Sequence, residues 1–298
     1  MSAMQARKDV PHPTLRIGSL LPILAILDEL GSDSEEVLSA AGINPSLVDD
    51  PDILIPYEAR GNLIARGVEA TGCDHFGLLI GQRMDIGSLG LPGLLARSMP
   101  DVETALRTLQ KNFPAHTTGA ALDLEIEEDL ATLSYNFLTP RVEATDQLGA
   151  GAVAAMLNVM ISLCGPEFQA LEASFSHRKP RDIRPFREFF KIPLYFDAPQ
   201  YSLIFSRKWL DTCSIGADEE LRRVLQKQMD SLEATRTEDF PEHIKNLIRS
   251  ALIAGECSEA DIAALVHLCP RTLIRRLRLS GTSFRKLLDQ TRFELAKR

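Results

Sequence analysis

The chain lacks most of what marks an enzyme or a metalloprotein. No Gly-x-Ser-x-Gly elbow, His-Glu-x-x-His helix or Cys–His nucleophile pattern is present. Its six histidines (His12, His75, His116, His177, His243 and His267) include no close pair at ligand spacing, so no metal is expected. The five cysteines are odd in number and widely scattered, which fits reduced thiols in the cytoplasm better than a disulfide framework. No apolar run approaches the length of a membrane span. The early stretch Leu20–Leu27 contains Pro22 and runs into Asp28-Glu29, so neither a membrane anchor nor a secretory signal is expected. Internal repeats and low-complexity segments are missing too. The glycines from Gly77 to Gly93 have no preceding strand and no Gly-Lys-Ser/Thr, so turns and close helix packing explain them better than a nucleotide site. No catalytic residues and no cofactor are expected. Scattered triads leave an enzyme as a formal alternative.

What the chain does have is an uneven distribution of charge. Its formal net charge is −8, yet residues 262–298 hold nine Lys/Arg against two Asp/Glu, leaving −15 on residues 1–261. An acidic body with a basic end points to a polyanionic partner for that end alone.

The same end has a helix–turn–helix pattern. Ser258 suits an N-cap, with Asp261 in the first turn favouring the helix start. Ile262, Ala263, Leu265 and Val266 give an apolar face, and Leu268-Cys269 is the expected turn. Pro270 suits the first position of a second helix, and Gly281 its C-terminal stop. Leu273 and Leu277, four apart, face a core. Arg271, Thr272, Arg275, Arg276 and Arg278 fall mainly on the other faces. A guanidinium can bond guanine O6 and N7 together, and any arginine can neutralise phosphate. The plainer alternative is a solvated basic helix pair.

The body mixes helical and alternating patterns. Helices are expected over Leu20–Leu30, Glu35–Ala41 capped by Ser34, Pro56 or Tyr57 to Thr71, Phe76–Met84, Leu91–Arg97, and from an Asp101 cap through Lys111. Leu122, Leu124 and Ile126 then alternate with acidic residues. Beyond Glu128-Asp129, Leu133, Tyr135 and Phe137 alternate with polar ones, which predicts a β-hairpin with one buried face. A long helix over Asp146–Leu163 reads as core rather than a cofactor box, and offers a face for a homodimer. Strands are expected at Ala170–Ser176, Leu194–Phe196 and Tyr201–Ser206, with helices at Ile183–Phe190 and Asp218–Leu232. The fold class is therefore α+β: a mixed helical and antiparallel-sheet domain over 1–232, a polar linker at 233–239, and an all-α helix–turn–helix region over 240–298 opened by Phe240-Pro241. Two turns are able to hold an anionic ligand: His177-Arg178-Lys179 after a strand, and His116-Thr117-Thr118 before the hairpin. The ordinary alternative for each is a solvated turn.

Several spaced elements carry a family resemblance. Ile262-Ala263, Pro270-Arg271-Thr272-Leu273, Arg275-Arg276-Leu277, Gly281-Thr282-Ser283-Phe284, and Arg292 with Ala296 together resemble the AraC/XylS family of bacterial transcription regulators. The resemblance implies that Pro270–Leu279 is the first recognition helix, with Arg271, Ile274 and Arg275 facing the groove. Family members often have Gln where this chain has Ile274, which can touch a thymine methyl but cannot hydrogen-bond a base edge. Arg271, Thr272, Ile274 and Arg275 would then read bases, and Arg276, Arg278, Arg285 and Lys286 would serve phosphate or packing. It also implies that the chain carries the first of two helix–turn–helix units and stops within the DNA-binding domain. Gly77-x-x-x-Gly81, Gly87-x-x-Gly90-x-x-Gly93 and the helix holding Ala105-Leu106 resemble the family's arabinose-binding type of N-terminal domain, a name that does not establish arabinose as the ligand. The function implied is a transcription regulator, with activation favoured, that binds promoter DNA and answers a small-molecule effector. The alternative is a ligand-sensing or dimerising module with no DNA binding of its own.

Overall fold

The computed structural model describes residues 13–51, 53–139, 142–254, 258–265 and 270–296. In chain order the elements are β1 (Thr14–Arg16), α1 (Leu21–Glu29), α2 (Ser34–Ala40), β2 (Leu54–Pro56), α3 (Tyr57–Thr71), α4 (Phe76–Arg83), α5 (Leu91–Arg97) and α6 (Val102–Asn112). The hairpin β3 (Ala120–Glu127) and β4 (Leu130–Phe137) follows, then α7 (Thr145–Cys164), β5 (Ala170–Ser174), α8 (Arg184–Phe190), β6 (Leu194–Tyr195) and β7 (Tyr201–Ser206). The rest is helical: α9 (Glu219–Ala254), α10 (Glu259–Leu265), α11 (Pro270–Leu279) and α12 (Phe284–Ala296). The α+β class expected from the sequence is the one observed.

The larger unit covers Pro13–Gln226. Its five-stranded sheet has the order β3-β4-β7-β5-β6, antiparallel except for the β5–β6 pair. In the hairpin Leu122 pairs with Tyr135 and Leu124 with Leu133, all four buried. These cross-strand pairs bury one face, and the turn closes through Glu128 in the left-handed region. Ile126 and Phe137, farther along the same alternation, are only half buried.

Helix α7 packs on the sheet through one face and on α4 through the other. Its contact with α4 is backbone to backbone: a Cβ at Gly81 would stand 2.2 Å from the Gly151 carbonyl oxygen, and one at Gly77 2.0 Å from that of Gln147. Glycine is needed here for close approach, as the Gly77-x-x-x-Gly81 spacing implied. Asn158 then reaches across from α7, its amide nitrogen lying 2.9–3.1 Å from the carbonyl oxygens of Gly81, Gln82 and Met84. The Asn158 amide has two hydrogens to share among these three acceptors, which lie at and just past the end of α4. By length and composition α7 is long and apolar enough to cross a membrane, although no such run was expected from the sequence. Its alanines and single carboxylate account for that. Most of its apolar stretch is buried within the domain, so the surface it would offer a second copy is largely spent internally.

Local chemistry explains two of the helix starts. Asp101 caps α6 by accepting from the Thr104 N–H at 2.7 Å. At α2 the cap is Asp33, which accepts from the Glu35 and Glu36 N–H groups; Ser34, the expected cap, is the first helical residue. The carboxylate one position earlier can accept two N–H bonds and complements the helix dipole. The short pair β1–β2 had no counterpart in the sequence expectations. It straps the domain, with Thr14 N–H donating to Thr118 Oγ1 at 2.8 Å and Thr117 Oγ1 donating to the Thr14 carbonyl at 2.9 Å.

The smaller unit begins at Lys227. Residues 233–239, expected as a linker, are helical and lie inside α9, as does Pro241. That segment contains no Gly or Pro, and Glu, Ala and Arg are helix formers. Among the described residues the core of this unit is a cluster of Ile244, Leu247 and Ile248 of α9, Ile262 and Ala263 of α10, Leu273 and Leu277 of α11, and Phe284 and Leu287 from the start of α12.

Candidate ligand pocket and nucleic-acid interface

Helix α3 presents Tyr57, Arg60, Gly61, Ile64 and Gly67 to the interior, spacings of one helical stripe. An arginine on that stripe is unusual. Arg60 is only 7% exposed, and it faces an interior pocket of about 50 Å³. Two methionines, Met84 and Met156, line it with Leu89, Leu109, Phe113, Leu122, Leu133, Tyr135, Leu148, Val159 and His116. The strands supply Leu122, Leu133 and Tyr135, α7 supplies Leu148, Met156 and Val159, and the turn after α6 supplies Phe113 and His116.

The polar groups of this pocket are few and incompletely matched. Arg60 Nη2 donates to the Met84 thioether sulfur at 3.7 Å, and its Nε has no acceptor. Among the described residues no carboxylate pairs with this guanidinium. A thioether is a weak acceptor, so the charge is poorly compensated for its burial. The hydroxyls of Tyr57 and Tyr135 lie 2.7 Å apart in a buried hydrogen bond. Burial raises the pKa of both phenols, well above the usual value for Tyr135, while the Arg60 charge pulls each back down.

His116 is 2% exposed, and its Nδ1 has no hydrogen-bond partner. Burial, and then the charges of Arg60 and Arg16, depress its pKa to about 3, so it is neutral at physiological pH. It packs against Phe113 with ring centroids 5.5 Å apart. The residues beside it are not a solvated turn: Thr117 is buried and the Thr118 N–H donates to Thr14. The sequence pointed to His116 but not to Arg60, Tyr57 or Tyr135. The available signal was a charge at position 60 on an otherwise apolar helical stripe.

His177 and Arg178 lie elsewhere. They line a surface pocket of about 370 Å³ with Asp74, Asp146, Gln147, Arg181 and Phe186. His177 is half buried against Phe175, Phe196 and Tyr201, and its Nδ1 also lacks a partner. Burial lowers its pKa, opposed by Asp146 and Asp197. Acidic and basic side chains are mixed around this pocket, so it has less preference for an anion than the interior one. His116 thus does not share a site with His177 and Arg178.

At the other end of the chain, α10 begins with a reciprocal cap. Ser258 Oγ accepts from the Asp261 N–H at 3.1 Å, and the Asp261 carboxylate accepts from the Ser258 N–H at 3.3 Å. Helix α11 divides sharply: Leu273 and Leu277 are fully buried in the cluster, Ile274 is half buried, and Arg275 and Arg278 are exposed. It ends in a Schellman arrangement, with Gly281 N–H to Arg278 O at 3.0 Å, Thr282 N–H to Leu277 O at 2.9 Å, and Gly281 at φ +70°. Ser283 caps α12, on whose first turn Arg285 and Lys286 are exposed. The expected turn at Leu268-Cys269, with Val266, lies outside the described residues, as do the side chains of Arg271, Thr272 and Arg276.

Comparisons to known proteins bear on the family and the fold. Residues 31–213 match the family model for the arabinose-binding N-terminal domain of AraC transcription regulators. The ornithine utilization regulator of Pseudomonas aeruginosa is 24% identical over 277 residues, covering 92% of this chain and 81% of that protein. The HTH-type transcriptional regulator VirS of Mycobacterium tuberculosis is 23% identical over 288 residues, covering 95% of this chain and 84% of that protein. The crystal structure of the transcriptional regulator CdpR from Pseudomonas aeruginosa shares the fold, with a TM-score of 0.50 at 20% identity over 88% of this chain and 82% of that one. The chain belongs to the family of AraC transcription regulators with the arabinose-binding type of N-terminal domain.

Proposed function

We propose that this protein is a DNA-binding transcription regulator whose N-terminal domain receives a small-molecule signal and whose C-terminal helices bind promoter DNA. In this reading residues 1–232 form the effector domain, 240–298 the DNA-binding region, and 233–239 a helical connection. The observation that carries it is the division of α11, with Leu273 and Leu277 buried in the core while Arg275 and Arg278 stand exposed on the same helix. A helix anchored along one stripe and basic along another is suited to lie in the major groove. Arg271, Thr272, Ile274 and Arg275 are assigned to bases. Arg276, Arg278, Arg285 and Lys286 are assigned to phosphate or packing. The interior pocket around His116 is the favoured effector site, and the pocket of His177 and Arg178 a secondary one. Activation is the favoured direction of control.

An operator selected from a random duplex pool provides the test. Arg275→Ala is expected to weaken binding by about 1–3 kcal/mol and to relax base choice at one position, whereas Arg278→Ala should cut affinity evenly across sequences and reduce the salt slope by about 1. Unchanged binding in Arg275→Ala would reject the groove-facing assignment of α11.

A further inference from the structure

The interior pocket has one feature that a sugar or another neutral ligand does not account for. Arg60 is buried, points at the cavity with Met84, and has an unbonded Nε. Around it stand hydrogen-bonding groups that are also incompletely used: the unpartnered Nδ1 of neutral His116, and a Tyr57–Tyr135 pair in which one hydroxyl donates to the other and the second keeps its own proton to give. Most of the remaining wall is aliphatic or thioether. A cavity of about 50 Å³ admits a few waters or a small organic group.

We propose that this pocket binds a small monocarboxylate with an apolar body, its carboxylate paired with Arg60 and its body packed among Leu89, Leu109, Met156 and Val159. The proposal rests on the reading of this domain as an effector receiver and names the chemical class of the effector. A guanidinium presents parallel N–H donors that fit the two oxygens of a carboxylate, and an ion pair of this kind gains most where water is excluded. The carboxylate displaces the thioether, the weakest acceptor present, and can accept in addition from a tyrosine hydroxyl. The aliphatic wall selects against ligands that are polar along their length, because their hydroxyls would be left unpaired. A single charge suits the site better than a dianion, since the pocket itself holds one guanidinium.

Thermal unfolding of the full chain tests this directly. Propionate, butyrate and isobutyrate, short enough for the cavity, are each compared at roughly 10 mM with propanol, butanol and isobutanol at matched ionic strength. At about a hundredfold excess over Kd, an acid that binds should raise Tm by about 5 °C. Its alcohol should raise Tm far less. Arg60→Met should abolish the response to the acid and lower its affinity at least tenfold by calorimetry. The same variant should unfold at a higher temperature than the parent without ligand, because an uncompensated buried charge is replaced by an apolar chain of similar length. The proposal is overturned if none of the three acids stabilises the protein, if acid and alcohol stabilise it equally, or if Arg60→Met keeps the acid response. The acid–alcohol comparison on the parent protein decides the question even if that variant fails to fold. None of these readouts contains DNA, so acid binding without operator binding rejects only the regulator reading, and the converse rejects only this assignment.

Discussion

Arg60 and Arg275 carry the same charge in opposite surroundings. Arg60 sits in the interior of the N-terminal domain with a thioether as its hydrogen-bond partner, while Arg275 stands in water on α11. A buried guanidinium has lost its hydration, so a single well-placed anion has a large effect on it. An exposed one is already solvated, and it contributes together with its neighbours when a polyanion arrives and releases counterions. The two regions therefore hold positive charge for different ends. In the reading proposed above, one is a site for a particular small anion, and the other a surface whose binding is additive and sensitive to salt.

The comparison depends on the basic surface having its own scaffold. That scaffold is the cluster joining α9, α10, α11 and the start of α12. Leu277 belongs to it, fully buried and one helical turn from Leu273. Leu277→Ala is expected to cost about 2–5 kcal/mol of stability in the C-terminal unit, the largest effect considered. Chemical denaturation should show the loss, and operator binding should fall with it even though no arginine has changed. Stabilisation of the N-terminal domain by a carboxylate should survive. If operator binding stayed intact while the C-terminal unit was destabilised, the exposed arginines would not need the cluster to hold them.

The interior charge predicts a pH dependence that the exterior does not. His116 has an ordinary pKa near 6.5 in the unfolded chain and about 3 in the folded one, through burial and then through Arg60 and Arg16. Between these values the unfolded state binds the extra proton. The stabilisation is complete above pH 6.5 and is lost as pH falls through the window toward 3, at up to about 1.4 kcal/mol per pH unit. His116→Leu should flatten the stability–pH profile across that window by the equivalent of one proton, as measured by urea denaturation at successive pH values. A variant with the parent's slope would show that His116 is protonated in the folded protein, and that the pocket is less positive than the geometry indicates.

Much of this was legible in the residues. Alternation from Leu122 to Phe137 gave the hairpin, because a strand with one buried face has a period of two. Asp101, Gly281 and the Ser258–Asp261 pair gave helix ends, because a cap is a local event set by one or two side chains. The spacing of Leu273 and Leu277 placed α11 on its core before any tertiary contact was considered. The strap β1–β2 was not legible: three residues per strand leave no period to read, and the pairing is fixed by tertiary hydrogen bonds from Thr14 to Thr117 and Thr118. The segment 233–239 is helical, and polarity in a sequence does not distinguish a helical connection from an irregular one. The pocket was half legible. His116 stood out as a titratable residue near the hairpin, but Arg60 was hidden among the many charges of an amphipathic helix. Only the packing of α3 against the domain turns that charge inward.

An arginine that is neither buried nor aimed at DNA sets the lower end of the scale. Arg107 of α6 lies one turn from Glu103, donating from Nε at 2.7 Å, and both side chains are substantially exposed. Unlike Arg60 it has a carboxylate partner, and unlike Arg275 it lies on the domain assigned to the effector. Its pair is held by an i,i+4 spacing that the helix supplies at no extra cost. Yet water competes for both groups and salt screens them, so pairs of this kind contribute about 0.3–0.5 kcal/mol. Arg107→Gln should therefore lower stability by no more than about 0.5 kcal/mol at low salt, with the difference shrinking in about 1 M NaCl. Operator affinity and the carboxylate response should not move. A loss several times larger would mean that exposure does not separate the weak cations from the strong ones here, and the contrast between Arg60 and Arg275 would lose its physical basis.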